Sequence, residues 1–79
     1  MSKQAIFEII VGHAREVVPG LDAHQFKETD SLRALGANSI DRADIIMMTL
    51  ESLELNMPLV EMAKADNIGE LAGLIHGRA

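Results

Sequence analysis

Hydrophobic positions recur along this chain at steps of three and four, the spacing that puts side chains on one face of a helix. The clearest run begins at Ile40. Ile40, Ala43, Ile46, Leu50 and Leu53 form an expected inward stripe, while Asp41, Asp44, Glu51 and Glu54 fall mostly on the other faces. Just before it, Leu35-Gly36-Ala37-Asn38-Ser39 reads as a turn that stops one segment and launches another, with Ser39 at the helix entrance.

Another helix is predicted over residues 3 to about 18, with Ser2 as its N-cap. Ile6, Ile10, Ala14 and Val17 make one stripe, and Phe7, Val11 and Val18 lie beside it. Gly12 weakens this helix by about 1 kcal/mol relative to Ala, less than the stripe supplies, and Pro19-Gly20 ends it. Residues 20–37 form a long connection carrying Leu21, Phe26, Leu32 and Leu35. A structureless loop of that length is uncommon in a compact domain unless it is functional or pinned. Phe26 and Leu32 are expected to reach the core, with a short helical turn near residues 30–35, and Gly36 makes a tight stop.

The helix launched at Ser39 is predicted to run to about residue 53, where Asn56-Met57-Pro58 breaks the pattern. Residues 59–64 allow one turn or a short third helix. Asn67 with Glu70 is a capping-box spacing. It opens a last helix over residues 68 to about 76 that buries Ile68, Leu71, Leu74 or Ala72, and Ile75, and Gly77 ends it. The predicted fold is all-α: a small four-helix bundle with a short third helix and a long loop between helices 1 and 2, one domain over residues 1–79.

Composition sharpens this picture. A core of this size supplies only a few kcal/mol net and needs disulfides, metal or very regular helix packing. There is no cysteine, which removes disulfides and zinc-thiolate sites together. The formal charge of −5 disfavours nucleic acid. The charge is also localised: residues 38–70 hold seven acids against Arg42 and Lys64, so a basic partner surface is the natural complement. Ile9-Ile10-Val11 is far too short for a secretory or transmembrane core. A cytoplasmic, monomeric protein without membrane contact is expected, and Met1 with almost no tail predicts a free-standing one.

Chemistry is sparse. His13, His24 and His76 are scattered and form no metal-ligand set. A calcium loop from Asp30 fails because Leu32 and Ala34 stand at donor positions, and a DNA-reading helix fails for want of Lys or Arg. Ser39 lacks the flanking glycines of a nucleophile elbow. By default a serine there is a helix cap, in which case the chain is a small helical interaction module. An ester of phosphate on its oxygen, however, would be well placed, since first-turn N–H groups and the helix dipole favour an anion. Met47, Met48, Met57 and Met62 suit core filling or an adaptable acyl pocket, with Met48 the one expected to stay exposed.

Asp30-Ser31-Leu32, then Leu35-Gly36-Ala37-Asn38-Ser39-Ile40-Asp41, an acidic helix and the break at Pro58 together resemble an acyl carrier protein, over almost the whole chain. The resemblance implies that Ser39 receives 4′-phosphopantetheine from coenzyme A through a phosphopantetheinyl transferase. It also implies that the chain is no enzyme and has no catalytic residue or metal, and that Asp41, Asp44 and Glu51 dock partners. Asn38 stands where the family usually has Asp, Ile40 replaces the common Leu, and Arg42 brings a positive charge into the docking helix, where it too is expected to dock partners and to bear on their choice. These departures argue against a housekeeping fatty-acid carrier. Asn38-Ser39-Ile40-Asp41-Arg42 is similar to discrete polyketide-pathway carriers, in particular those donating acetyl groups to an HMG-synthase-like enzyme for β-branching. Acyltransferase, ketosynthase or HMG-synthase-like enzymes are the implied partners; a peptidyl carrier is the runner-up and a fatty-acid carrier ranks below it.

Overall fold

A computed structural model describes residues 1–78, which fold into α1 (Lys3–Val17), α2 (Ser39–Ser52), α3 (Leu59–Met62) and α4 (Ile68–His76), with no strand among the described residues. The helix bounds lie within two residues of those the pattern predicts. Ser2 caps α1, its Oγ accepting from Ala5 N–H at 3.1 Å.

α1 is the common support. It packs on both α2 and α4, whose backbones do not approach each other, and α3 touches α2 and α4 across the gap. Ile6, Phe7, Ile10, Val11 and Ala14 of α1 are buried against Ile45, Ile46 and Leu50 of α2 and Ile68, Leu71, Ala72 and Ile75 of α4. Each fully buried isoleucine contributes about 1.5–3 kcal/mol of transfer free energy. Thr49, buried among them, donates its hydroxyl to the Ile45 carbonyl at 2.8 Å, so that hydroxyl is not stranded. In α4 the choice between Ala72 and Leu74 falls to Ala72, while Leu74 is exposed.

The stripe of α2 is rotated from the predicted one. Ile45, Ile46, Thr49 and Leu50 face inward, whereas Ile40 is 72% exposed. At 100° per residue Ile40 lies about 140° from Ile45 and about 180° from Thr49, so the face that buries those two cannot also contain it. The methionines change places as well: Met47 is exposed and Met48 half-buried, while Met57 and Met62 are buried.

The long loop is pinned, by backbone more than by side chains. Leu21 and Leu32 are buried and Leu35 is half-buried against the core. Phe26 stays half-buried, with the His24 ring edge-on at 4.8 Å and the Arg15 guanidinium 5.3 Å above it. His24 Nε2 and Lys27 N–H both reach an Asp30 carboxylate oxygen, at 3.0 and 2.8 Å. The Lys27 bond, then the His24 bond, hold the Asp30 carboxyl below its ordinary pKa. Beyond it, Ile68 N–H donates to the Asp30 carbonyl at 2.9 Å and Gly69 N–H to the Glu28 carbonyl at 2.8 Å. Two donors that a helix start leaves without intrahelical partners are thus supplied by the loop. A Cβ on Gly69 would lie 2.9 Å from Glu28 Cβ and 3.0 Å from its carbonyl oxygen. Glycine is what lets the two segments meet.

The turn before α2 is hydrogen-bonded but does not lengthen into a helix. Leu35 N–H donates to Ser31 O, Gly36 N–H to Arg33 O and Ala37 N–H to Leu32 O. With Gly36 at φ +102°, this is the left-handed closure of a Schellman motif. The cap that follows is Asn38, one residue earlier than a Ser39 cap would be. Asn38 Oδ1 accepts from Asp41 N–H at 2.8 Å, and Asp41 Oδ2 accepts from Asn38 N–H at 3.2 Å. Asn38 and Asp41 form a reciprocal capping box, and Ser39 is the first helical residue. Asn67 likewise caps α4 by accepting from Glu70 N–H at 2.7 Å, although Glu70 Oε1 reaches Asp66 N–H instead of the cap's own.

Two stability measurements follow from these contacts. Gly69→Ala should destabilise the fold by about 1–3 kcal/mol in urea unfolding, because the overpacking cost exceeds the ~1 kcal/mol of helix propensity gained; unchanged or raised stability would mean the loop is not seated on α4. Asn38→Ala should cost about 1 kcal/mol and Ser39→Ala less than about 0.5 kcal/mol, whereas the reverse order would restore Ser39 as the cap.

Candidate functional site

Ser39 owes its exposure to its position. With Asn38 and Asp41 closing the cap, its hydroxyl is left without a structural bond and points to solvent at the first turn of α2. The N–H groups of Ser39 and Ile40 begin the helix and have no intrahelical acceptor. Partial positive charge therefore gathers beside an exposed hydroxyl. A phosphate ester formed there would be favoured by the same field.

Ser39 also sits at the mouth of a groove of about 440 Å³, occupying the gap that α1 leaves between α2 and α4. Ser39, Arg42, Ala43 and Ile46 supply the α2 wall, spaced along one helix face. Leu59 and Met62 of α3 face them, with Ile68 and Leu71 of α4 below and Ser31 and Arg33 of the long loop at the rim. The groove thus has an apolar floor and a polar lip, dimensions and character suited to a slender organic arm. Of Met47, Met48, Met57 and Met62, only Met62 lines it.

The expected docking residues separate into two groups. Asp44 and Glu51 are exposed, and with Ile40 and Met47 they make an outward stripe at steps of three and four in which acids alternate with large apolar side chains. Asp41 is half-buried and engaged in the capping box. Arg42 is half-buried as well, Nη1 donating to the Ala37 carbonyl at 2.7 Å. Sequence reasoning missed Ile40 and Met47 as surface residues. The signal was present in the phase set by Ile45-Ile46 and Thr49-Leu50, which leaves Ile40 and Met47 together on the far side.

One other constellation resembles catalytic machinery. His13 Nε2 lies 2.9 Å from Ser52 Oγ, and its Nδ1 is 3.8 Å from a Glu16 carboxylate oxygen. The second distance is too long for a hydrogen bond, and Nδ1 is buried without a partner. Ser52 is the last residue of α2, where free carbonyls present negative partial charge. An oxyanion would be repelled there, and the contact ties α1 to α2. Among the described residues no group of three or more His, Asp or Glu is arranged to hold a metal, and no helix is long and apolar enough to cross a membrane.

Comparison with known proteins agrees with this geometry. The family described as "Phosphopantetheine attachment site" matches residues 13–75. A Bacillus subtilis (strain 168) protein, "Polyketide biosynthesis acyl-carrier-protein AcpK", is 47% identical over 78 residues, spanning 99% of this chain and 95% of the relative. A chain of the crystal structure of the curacin biosynthetic pathway HMG synthase in complex with acetyl donor-ACP superposes with a TM-score of 0.90. It is 49% identical, and the match covers 95% of this chain and 96% of that one. An exposed serine at a helix start beside a groove, a four-helix fold and these likenesses converge: the chain belongs to the acyl carrier family, non-enzymatic proteins that bear 4′-phosphopantetheine.

Proposed function

We propose that Ser39 is the attachment residue and that the chain carries acyl groups for polyketide biosynthesis, as the acetyl donor to an HMG-synthase-like enzyme. The observation that carries the first part is the unencumbered Ser39 hydroxyl at the start of α2, beside free N–H groups and at the mouth of the groove. The second part is supported by the 49% identity to a chain of a complex between an HMG synthase and its acetyl-donor carrier, and by the 47% identity to AcpK.

Ser39 Oγ attacks the phosphorus of coenzyme A that bears the pantetheine. A new O–P bond forms, the pyrophosphate bond breaks, and 3′-phosphoadenosine 5′-phosphate departs. The proton passes to a base of the phosphopantetheinyl transferase, which commonly supplies Mg²⁺. The arm ends in a thiol, which holds an acyl group as a thioester and so provides the soft nucleophile missing from a cysteine-free chain. The groove receives the arm between encounters.

Partners are met by the outward stripe of α2. Asp44 and Glu51 steer a basic enzyme surface into register, and Ile40 and Met47 contribute apolar contact beside Ser39. Such an encounter is fast and weak, as a shuttle requires, because a carrier that binds too tightly cannot move on. Residues 1–79 form one such carrier unit, acting as a cytoplasmic monomer.

Incubation with coenzyme A and a broad-specificity transferase should add the mass of one arm to the intact protein and none to Ser39→Ala. A folded, initially unmodified wild type whose mass does not change would contradict the assignment. Asp44→Lys or Glu51→Lys should slow acetyl delivery to the cognate enzyme on the order of tenfold at low salt and less at high salt, since steering is screened, with helicity intact. Unchanged delivery would reduce the acidic stripe to solvated surface.

A further inference from the structure

Arg42 stands three residues after Ser39, and the two side chains share one face of α2 and one rim of the groove. Neighbours at that spacing have Cβ atoms about 5–6 Å apart. The Arg42 guanidinium is held in place by its Nη1 bond to the Ala37 carbonyl, within the turn that leads to Ser39. Of five N–H donors in a guanidinium, that bond uses one. Among the described residues Arg42 makes no ion pair with a carboxylate. The charged groups facing the groove are Arg33, Arg42 and Asp66. The acid nearest in sequence, Asp41, is turned toward Asn38 N–H. An anchored, half-buried and largely unspent guanidinium therefore stands beside the hydroxyl proposed to bear a phosphodiester.

We propose that Arg42 is a positioning residue for the arm. Its free N–H groups hold the phosphodiester on Ser39 against the rim of the groove, in concert with the first-turn N–H groups of α2. The root of the arm is thereby fixed and the rest of it directed along the groove. A planar fork suits two phosphate oxygens at once, which a lysine ammonium cannot match. This inference rests on Ser39 being the attachment residue.

Thermal unfolding of apo and phosphopantetheinylated forms of the wild type, Arg42→Gln and Arg42→Lys tests it, together with ³¹P relaxation of the loaded proteins. Losing the Ala37 bond lowers the melting temperature of Arg42→Gln in both forms. Losing the phosphate contact should lower the loaded form by about 10 °C more, the shift one charge-assisted hydrogen bond makes in a domain of this size. Arg42→Lys should fall between. The phosphodiester of the loaded wild type should relax like the rigid backbone and become mobile in 1 M salt, a measurement that needs no variant. Equal losses in apo and loaded forms, or a wild-type phosphodiester as mobile as a free side chain, would overturn the role of Arg42 alone. A wild type that accepts no arm would overturn the attachment reading and this one with it.

Discussion

The arrangement depends on how backbone polar groups are satisfied over seven residues, Leu32 to Asn38 and onward into Asp41. Gly36 in the left-handed region closes the preceding turn, and the Asn38–Asp41 box then closes the start of α2. Between them they serve the donors and acceptors that would otherwise recruit a nearby hydroxyl. Ser39 is consequently the residue at this corner with nothing structural to do. An asparagine in place of the family's usual aspartate does not disturb this, because an amide oxygen caps a helix as well as a carboxylate does.

The same economy governs the larger architecture. α1 supports α2 and α4 separately, and the space between them is spanned by a four-residue helix. Such an element buries little, only Met62 being fully enclosed, and is fastened at its outer side by the Arg78–Glu61 ion pair. A bundle packed without this gap would be more stable but would have nowhere to place an arm. The loop of residues 18–38 compensates: it lends two carbonyls to the start of α4 and two leucines to the core, which holds one rim of the groove rigid while α3 forms the slighter wall.

Much of this was legible along the chain. Helix ends follow from Ser2, Pro19-Gly20, Gly36, Pro58 and Asn67, residues whose backbone preferences act locally. Ser39 was marked by its place at a helix start and by the family resemblance. What was not legible is what depends on rotation or on distant partners. A one-residue choice between Ser39 and Asn38 as cap, and a phase error in α2, together misplaced Ile40. The adjacent pairs Ile45-Ile46 and Thr49-Leu50 carried the right phase, but a stripe begun at Ile40 competes with it, and packing against α1 decides between the two. The seat of Glu28 on Gly69 and the reach of Arg42 to the Ala37 carbonyl join residues through the fold, and neither leaves a periodic trace. Arg42, read as a docking charge on the acidic helix, is in three dimensions also part of the corner that presents Ser39.

The central claim is that one particular oxygen bears the arm. The chain has four serines, Ser2, Ser31, Ser39 and Ser52, of which Ser2 caps α1, Ser31 accepts from Ala34 N–H and Ser52 meets His13. A phosphorus–proton correlation spectrum of the loaded, isotope-labelled protein locates the linkage by through-bond coupling. It should join the single phosphodiester resonance to the β-methylene protons of Ser39. Coupling to any other serine, or a phosphorus signal with no coupling to Ser39, would contradict the account.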